Sequence, residues 1–320
     1  MKRLFLLATT ILIAFCSLSA QSKEILLKPN WTIGDIMHYQ KNVKQINVDI
    51  NNDTTIKKQG NYDFYLKVID KNDLGYTLRL DYPSSIYAQI LPNLQSLESK
   101  DYLSIDFTTD LGGSFIELKN LDSLQNFMKE LFDKMYDVLA STEKPMMSKE
   151  EYLTYMKKVF SPEMQIASLV KDIDLILWQN GIEAEIGYSY KYQTPVNMSG
   201  VEIPTTTIFS LDAESHNGTP ILYIVESETE YDKDSLKFCI PSFLQEIVAS
   251  FPNKENSKSA ENELKNFFSN AEMSIVDYKY SELPIETGCV YYAQYVREII
   301  FTNPNGNMSQ IRVSEVQQMD

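Results

Sequence analysis

The chain has 320 residues, 43% of them hydrophobic and 23% charged, with 44 acidic against 29 basic side chains and a formal net charge of −15 at pH 7. Such a length and apolar content support a substantial core without metals or many disulfides. The acidic balance, with no Lys/Arg cluster to interrupt it, repels phosphate backbones and anionic headgroups and excludes nucleic acid as a partner class.

Lys2 and Arg3 precede an apolar stretch over residues 4–16, and Ser-Leu-Ser-Ala follows at 17–20. This is the order of a cleavable secretory signal peptide, and cleavage after Ala20 is expected. The apolar stretch is shorter than the ~20 residues a membrane-spanning helix needs, and no later stretch approaches that length, so no transmembrane segment is expected. Lipid attachment at Cys16 would call for small residues just before it, and Phe15 stands there, although a lipid-anchored chain stays open as an alternative. The mature chain, 21–320, is expected to start at Gln21, to be exported to the periplasm or the cell surface, and to carry about −17 once Lys2 and Arg3 are gone from the 29 basic residues.

Residues 36–50 predict a long strand whose apolar side switches from Met37, Tyr39 and Val43 to Ile46, Val48 and Ile50, which implies a bulge. Tyr62, Phe64, Leu66 and Val68 alternate with polar neighbours, a turn at 70–75 follows, and Tyr76, Leu78, Leu80 and Tyr82 alternate again, predicting a hairpin. That turn offers Asp and Asn at offsets familiar from calcium loops, but Leu74 occupies a ligand position and no glutamate closes it, so a solvated turn is expected. A second hairpin turns at Gly112-Gly113 within 106–118.

From Leu124 the period changes to steps of three and four through Phe127, Met128, Leu131, Phe132, Met135, Val138 and Leu139, an amphipathic helix. Ser148-Lys-Glu-Glu151 is a capping box opening a second helix with Tyr152, Leu153, Met156, Val159 and Phe160 on its apolar face. Ser161 and Pro162 open a third, largely buried helix that ends at Gly181. Strands resume over 184–192, around Phe209 and Leu211, and from Tyr223 to Tyr231, with a turn at 216–220. Two short helices are expected around 243–251 and 264–268, then three closing strands around 276–280, 290–301 and 311–316.

The two parts, about 21–181 and 182–320, show loose self-similarity: each opens its meander on an Ile-Gly pair at Gly34 and Gly187, and each carries a glycine-turned hairpin. The expected fold class is therefore α+β: one mature domain built on a large, twisted antiparallel sheet, up to a half-barrel in extent, with helices covering one face and two loosely related halves.

Gly34-Asp35, DLGGSFIELKN at 110–120, LWQNG at 177–181 and YKYSELPIETGCVYYAQY at 278–295 resemble a family of uncharacterised exported proteins of Bacteroidota. The resemblance covers most of the mature chain and implies no activity, so no catalytic residue is carried over. In element order the chain also resembles, more distantly, the sheet with helical lid of LolA-like periplasmic lipoprotein carriers.

For chemistry, there is no Gly-x-Ser-x-Gly or His-Glu-x-x-His, and Gly112-Gly113 lacks the lysine and helix of a phosphate loop. His38 and His216 lie far apart and outside any Cys/His spacing, so neither a metal nor a cofactor is expected. Cys239 and Cys289 are the cysteines left after signal cleavage, and in an oxidising compartment they are candidates for a disulfide, with buried free thiols as the alternative. Glu226, Glu228 and Glu230 share one strand face at ~7 Å spacing, compatible with an acid/base pair or with a solvated face. Tyr188, Tyr190 and Tyr192 share another strand face, and Met128, Met135 and Met156 belong to a methionine-rich helical block. Both residue types suit adaptable apolar binding, and both also serve as ordinary core. The expected function is non-enzymatic binding of a lipid-like or other apolar ligand. The alternatives are a carboxylate-dependent hydrolase and a protein-interaction module of an envelope complex.

Overall fold

A computed structural model describes residues 24–49, 51, 53–83, 102–142, 148–159, 162–198, 201–237, 272–303 and 306–319. The expected signal peptide, the two short helices at 243–251 and 264–268, and Cys239 lie outside the described residues. Five consecutive strands form the first meander: β2 (Ile36–Val48), β3 (Thr54–Asn72), β4 (Gly75–Pro83), β5 (Tyr102–Asp110) and β6 (Phe115–Leu118). Three helices follow, α1 (Leu121–Thr142), α2 (Lys149–Val159) and α3 (Pro162–Leu177). The second meander is β8 (Tyr188–Met198), β9 (Val201–His216), β10 (Thr219–Tyr231), β11 (Glu272–Pro284), β12 (Tyr292–Asn303) and β13 (Gly306–Gln318).

Antiparallel pairing of β13 with β2 fuses the two meanders into one sheet of 11 strands, in the order β6-β5-β4-β3-β2-β13-β12-β11-β10-β9-β8. β6 and β8 stand at opposite ends and do not pair, so the sheet is not closed into a barrel. A separate two-stranded ribbon joins β1 (Glu24–Leu26) to β7 (Glu183–Glu185). The architecture is α+β, with the helices inserted between the two meanders.

Local sequence explains the joints. The register shift between Gln45 and Ile46 against β3 skips Lys57, so the bulge expected in β2 lies in β3; β2 keeps an unbroken register with β13, and Ile46 and Val48 fall on the face opposite Met37, Tyr39 and Val43. Asn72 closes the β3–β4 turn, its Oδ1 accepting from the N–H of Leu74 at 2.8 Å and of Gly75 at 3.1 Å. The capping box forms: Glu151 accepts from the Ser148 N–H at 2.7 Å, and the Glu151 N–H donates to Ser148 Oγ at 3.3 Å. The strand expected over 184–192 is instead two elements, because Gly187 takes φ +81° and redirects the chain between β7 and β8. Gly34, at φ +94°, does the same before β2, and in each case the glycine N–H donates to the neighbouring strand, Gly34 to Val68 and Gly187 to Leu211.

The core lies between the sheet and the helices. Phe64, Leu66, Leu78, Leu80, Ile105 and Phe107 are fully buried on one sheet face, and Ile173, Ile176 and Leu177 of α3 and Leu124 of α1 press onto them. Each such side chain contributes about 1.5–3 kcal/mol through burial. A smaller cluster of Phe132, Tyr152 and Met156 holds α1 to α2.

Candidate functional site

Strand alternation gives the sheet two faces, and the helix-covered one is called inner here. The cross-strand register places its residues in rows perpendicular to the strands. One row runs Lys41, Val316, Ala293, Ser281, Val225, Leu211 and Tyr188 from β2 to β8. The next is Val43, Ser314, Tyr295, Lys279, Ser227, Phe209 and Tyr190, and the third is Gln45, Arg312, Arg297, Asp277, Thr229, Thr207 and Tyr192. The second and third rows form a polar belt across the sheet that ends on the tyrosines of edge strand β8. On the side of the belt away from the α3-covered core, Met273, Ile275, Ile203 and Tyr231 build a second apolar cluster, with the half-buried Ile299 and Phe301 packed against it.

α3 is fastened over this face by two polar contacts. Asp172 forms a buried ion pair with Lys41 and accepts from the Tyr82 hydroxyl at 2.8 Å and the Tyr62 hydroxyl at 3.2 Å. Trp178 donates its indole N–H to Ser281 Oγ at 2.8 Å and meets Phe209 edge-on. Burial, then the Asp172 charge and hydrogen bond, push the Tyr62 hydroxyl far above its ordinary value, so it stays a donor.

Within the belt, Asp277 accepts from Arg297 Nε at 2.7 Å and from its terminal nitrogen at 2.6 Å, and from the hydroxyls of Tyr231 at 2.7 Å and Tyr295 at 2.9 Å. Burial alone would pull the Arg297 guanidinium down, but the Asp277 bonds and charge outweigh it and hold the group further up. Lys171 of α3 is lowered, first by burial and then by the positive charges of Arg297, Arg312 and Lys41.

Tyr188, Tyr190 and Tyr192 sit on the inner face at its open edge, with 53%, 38% and 46% exposure, so they are not core. Tyr190 leans on Phe209 at 6.3 Å and accepts from the Glu185 N–H at 2.9 Å. Met156 is buried at the α1–α2 seam and Met135 is half-buried beside it, whereas of Met128 only the backbone, on α1, is described. The tyrosines and these methionines therefore occupy different clusters. Glu226, Glu228 and Glu230 project from the outer face: Glu226 accepts from the Tyr278 hydroxyl at 2.7 Å, and Glu228 and Glu230 are exposed. Burial, then the Glu226 bond, push Tyr278 up to about 12. Cys289 is a half-buried free thiol whose Sγ–H donates to the Thr287 carbonyl at 3.5 Å, and burial pushes it up to about 11. Of the expected Cys239–Cys289 pair, this is the described end.

Sequence reasoning missed Lys41, Lys171, Asp172, Lys279, Arg297 and Arg312. The available signal was phase, since Lys41 falls in step with Met37, Tyr39 and Val43, and Arg297 with Tyr295, Ile299 and Phe301.

A separate cleft of about 490 Å³ opens at the far end of the sheet, lined by Leu27, Pro29, Tyr76, Tyr223, Leu283 and Gly288 among others. The Asn30 N–H donates to the Thr287 carbonyl at 2.8 Å and ties its two walls together.

No family model and no curated protein matches the chain. Among solved structures it is similar to one of lipovitellin described for its lipid–protein interactions, at 9% identity and a TM-score of 0.37, over 91% of this chain and 26% of that one. It is also similar to an outer membrane protein of Vibrio cholerae, a loop L8 deletion mutant of OmpT, at 6% identity and a TM-score of 0.16, over 90% and 100% of the two chains. The chain spans about a quarter of the length of the lipovitellin chain, and likeness at these scores carries no argument about function.

Proposed function

We propose that this is an exported, non-enzymatic binding protein of the periplasm or cell surface that takes an apolar ligand on the inner face of its sheet. The observation that supports the reading is the incomplete cover of that face among the described residues. α3 seals the rows around Phe64 and Leu80, whereas Ile299 and Phe301 stay half-buried and the Tyr188, Tyr190 and Tyr192 rings half-exposed at an open edge. Partly open apolar surface beside polar groups is the usual form of a ligand site.

Titration with a neutral apolar fluorophore, N-phenyl-1-naphthylamine, tests this. Met308→Trp, at the half-buried inner position directly opposite Phe301, is expected to fill the site and weaken binding about tenfold at little cost in thermal stability. Met156→Trp is expected to do the opposite, since it overpacks the α1–α2 seam by about 1–3 kcal/mol and leaves binding intact. A wild-type protein that binds no apolar probe would refute the reading.

A further inference from the structure

The sheet separates charge by face. Outer positions carry Glu226, Glu228, Glu282, Glu298 and Glu315, whereas Asp277 is the one carboxylate at an inner position of β2–β5 and β8–β13 among the described residues. Yet that face holds Lys41, Lys279, Arg297 and Arg312, and α3, which packs against β12, adds Lys171 near Lys41, Arg297 and Arg312. Asp172 neutralises Lys41 and Asp277 neutralises Arg297. Lys171, Lys279 and Arg312 have no carboxylate within ion-pair reach among the described residues: Lys279 lies over the Trp178 ring at 5.5 Å, and Arg312 donates to Gln310 Oε1 at 2.9 Å. Arg312 also stands directly opposite Arg297 in the β12–β13 register, so beside the guanidinium that Asp277 pairs lies a second one without a carboxylate among the described residues. A chain of net charge −15 thus concentrates uncompensated positive charge on its least acidic face.

We infer that Lys171 and Arg312 receive the anionic headgroup, carboxylate or phosphate, of an amphiphile whose apolar chain runs over Ile299 and Phe301. This rests on the reading that the inner face binds an apolar ligand and names the class of that ligand. Arg312 lies in the belt and the half-buried apolar residues lie beside it, so head and tail would find their surroundings on adjoining rows. Charge-assisted hydrogen bonds from fixed cations to a carboxylate or phosphate are about twice as strong as neutral ones.

The test is displacement of N-phenyl-1-naphthylamine from the whole mature chain by laurate, by dodecanol and by inorganic phosphate. Laurate is expected to displace at about tenfold lower concentration than dodecanol at low salt, with the advantage shrinking as salt screens the cations. Arg312→Gln, at an exposed position without an ion pair, should keep the wild-type thermal midpoint and lose much of that advantage, and Lys171→Gln with it should remove the rest while dodecanol is unaffected. Equal displacement by laurate and dodecanol would overturn the headgroup assignment and leave apolar binding standing. Phosphate competing as well as laurate would overturn it in favour of a small-anion site. Loss of all binding in the wild type would defeat the apolar reading itself and the headgroup assignment with it.

Discussion

Asp172→Leu is expected to destabilise the protein by about 3–5 kcal/mol, because it strands a charge that has almost no water around it. The Lys41 and Asp172 side chains retain 8% and 12% exposure, and Asp172 also serves the Tyr62 and Tyr82 hydroxyls. Removing the carboxylate leaves an uncompensated ammonium and two hydroxyls without their acceptor, beneath the helix that closes the core. Lys41→Met combined with Asp172→Leu should recover at least half of the loss, since replacing both members of a buried pair with apolar groups is often neutral or better. Denaturant unfolding of the two variants measures the difference. Equal loss in single and double variants would show that α3 is held by packing and not by this pair.

Gly75→Ala is the second large effect, expected at about 3 kcal/mol or more. A Cβ there would stand 1.8 Å from the Thr109 carbonyl oxygen, 2.8 Å from its carbon and 2.9 Å from Asp110 Cα. All three are backbone atoms of β5, so no side-chain rotation relieves the clash, and the start of the β4–β5 ladder must separate. Gly187→Ala provides the contrast: nothing lies within 4 Å, and only the positive φ of +81° opposes it, at a cost of about 1 kcal/mol. Thermal unfolding that ranked Gly187→Ala as the more damaging change would contradict the close approach of β4 and β5.

How far the sequence was legible depended on how local each signal was. The β3–β4 hairpin and the capping box at Ser148 follow from neighbours within a few residues and appear where alternation and capping chemistry predict, whereas the apolar switch in β2 pointed to a bulge that the partner strand β3 carries, and the helix expected to stop at Gly181 ends at Leu177. The β2–β13 pairing that fuses the meanders joins opposite ends of the chain, and no local pattern announces it. The candidate site was harder for the same reason. Alternation marked Tyr188, Tyr190 and Tyr192 as sharing a face, but that they line an open edge depends on β8 having one strand neighbour in the sheet. Methionine composition pointed to the helical block, yet Met135 and Met156 face each other's helix and not the sheet. The inner-face cations come from β2, β11, β12 and β13 and that of α3 lies beside them, so only the assembled fold brings them together.

Native mass spectrometry of the protein purified from its own cell envelope without denaturation tests the central claim most directly. The account predicts a mature chain starting at Gln21 with part of the population carrying the extra mass of one amphiphile, released by organic solvent and anionic once free. A population uniformly at the bare chain mass, which also binds no apolar probe afterwards, would contradict it.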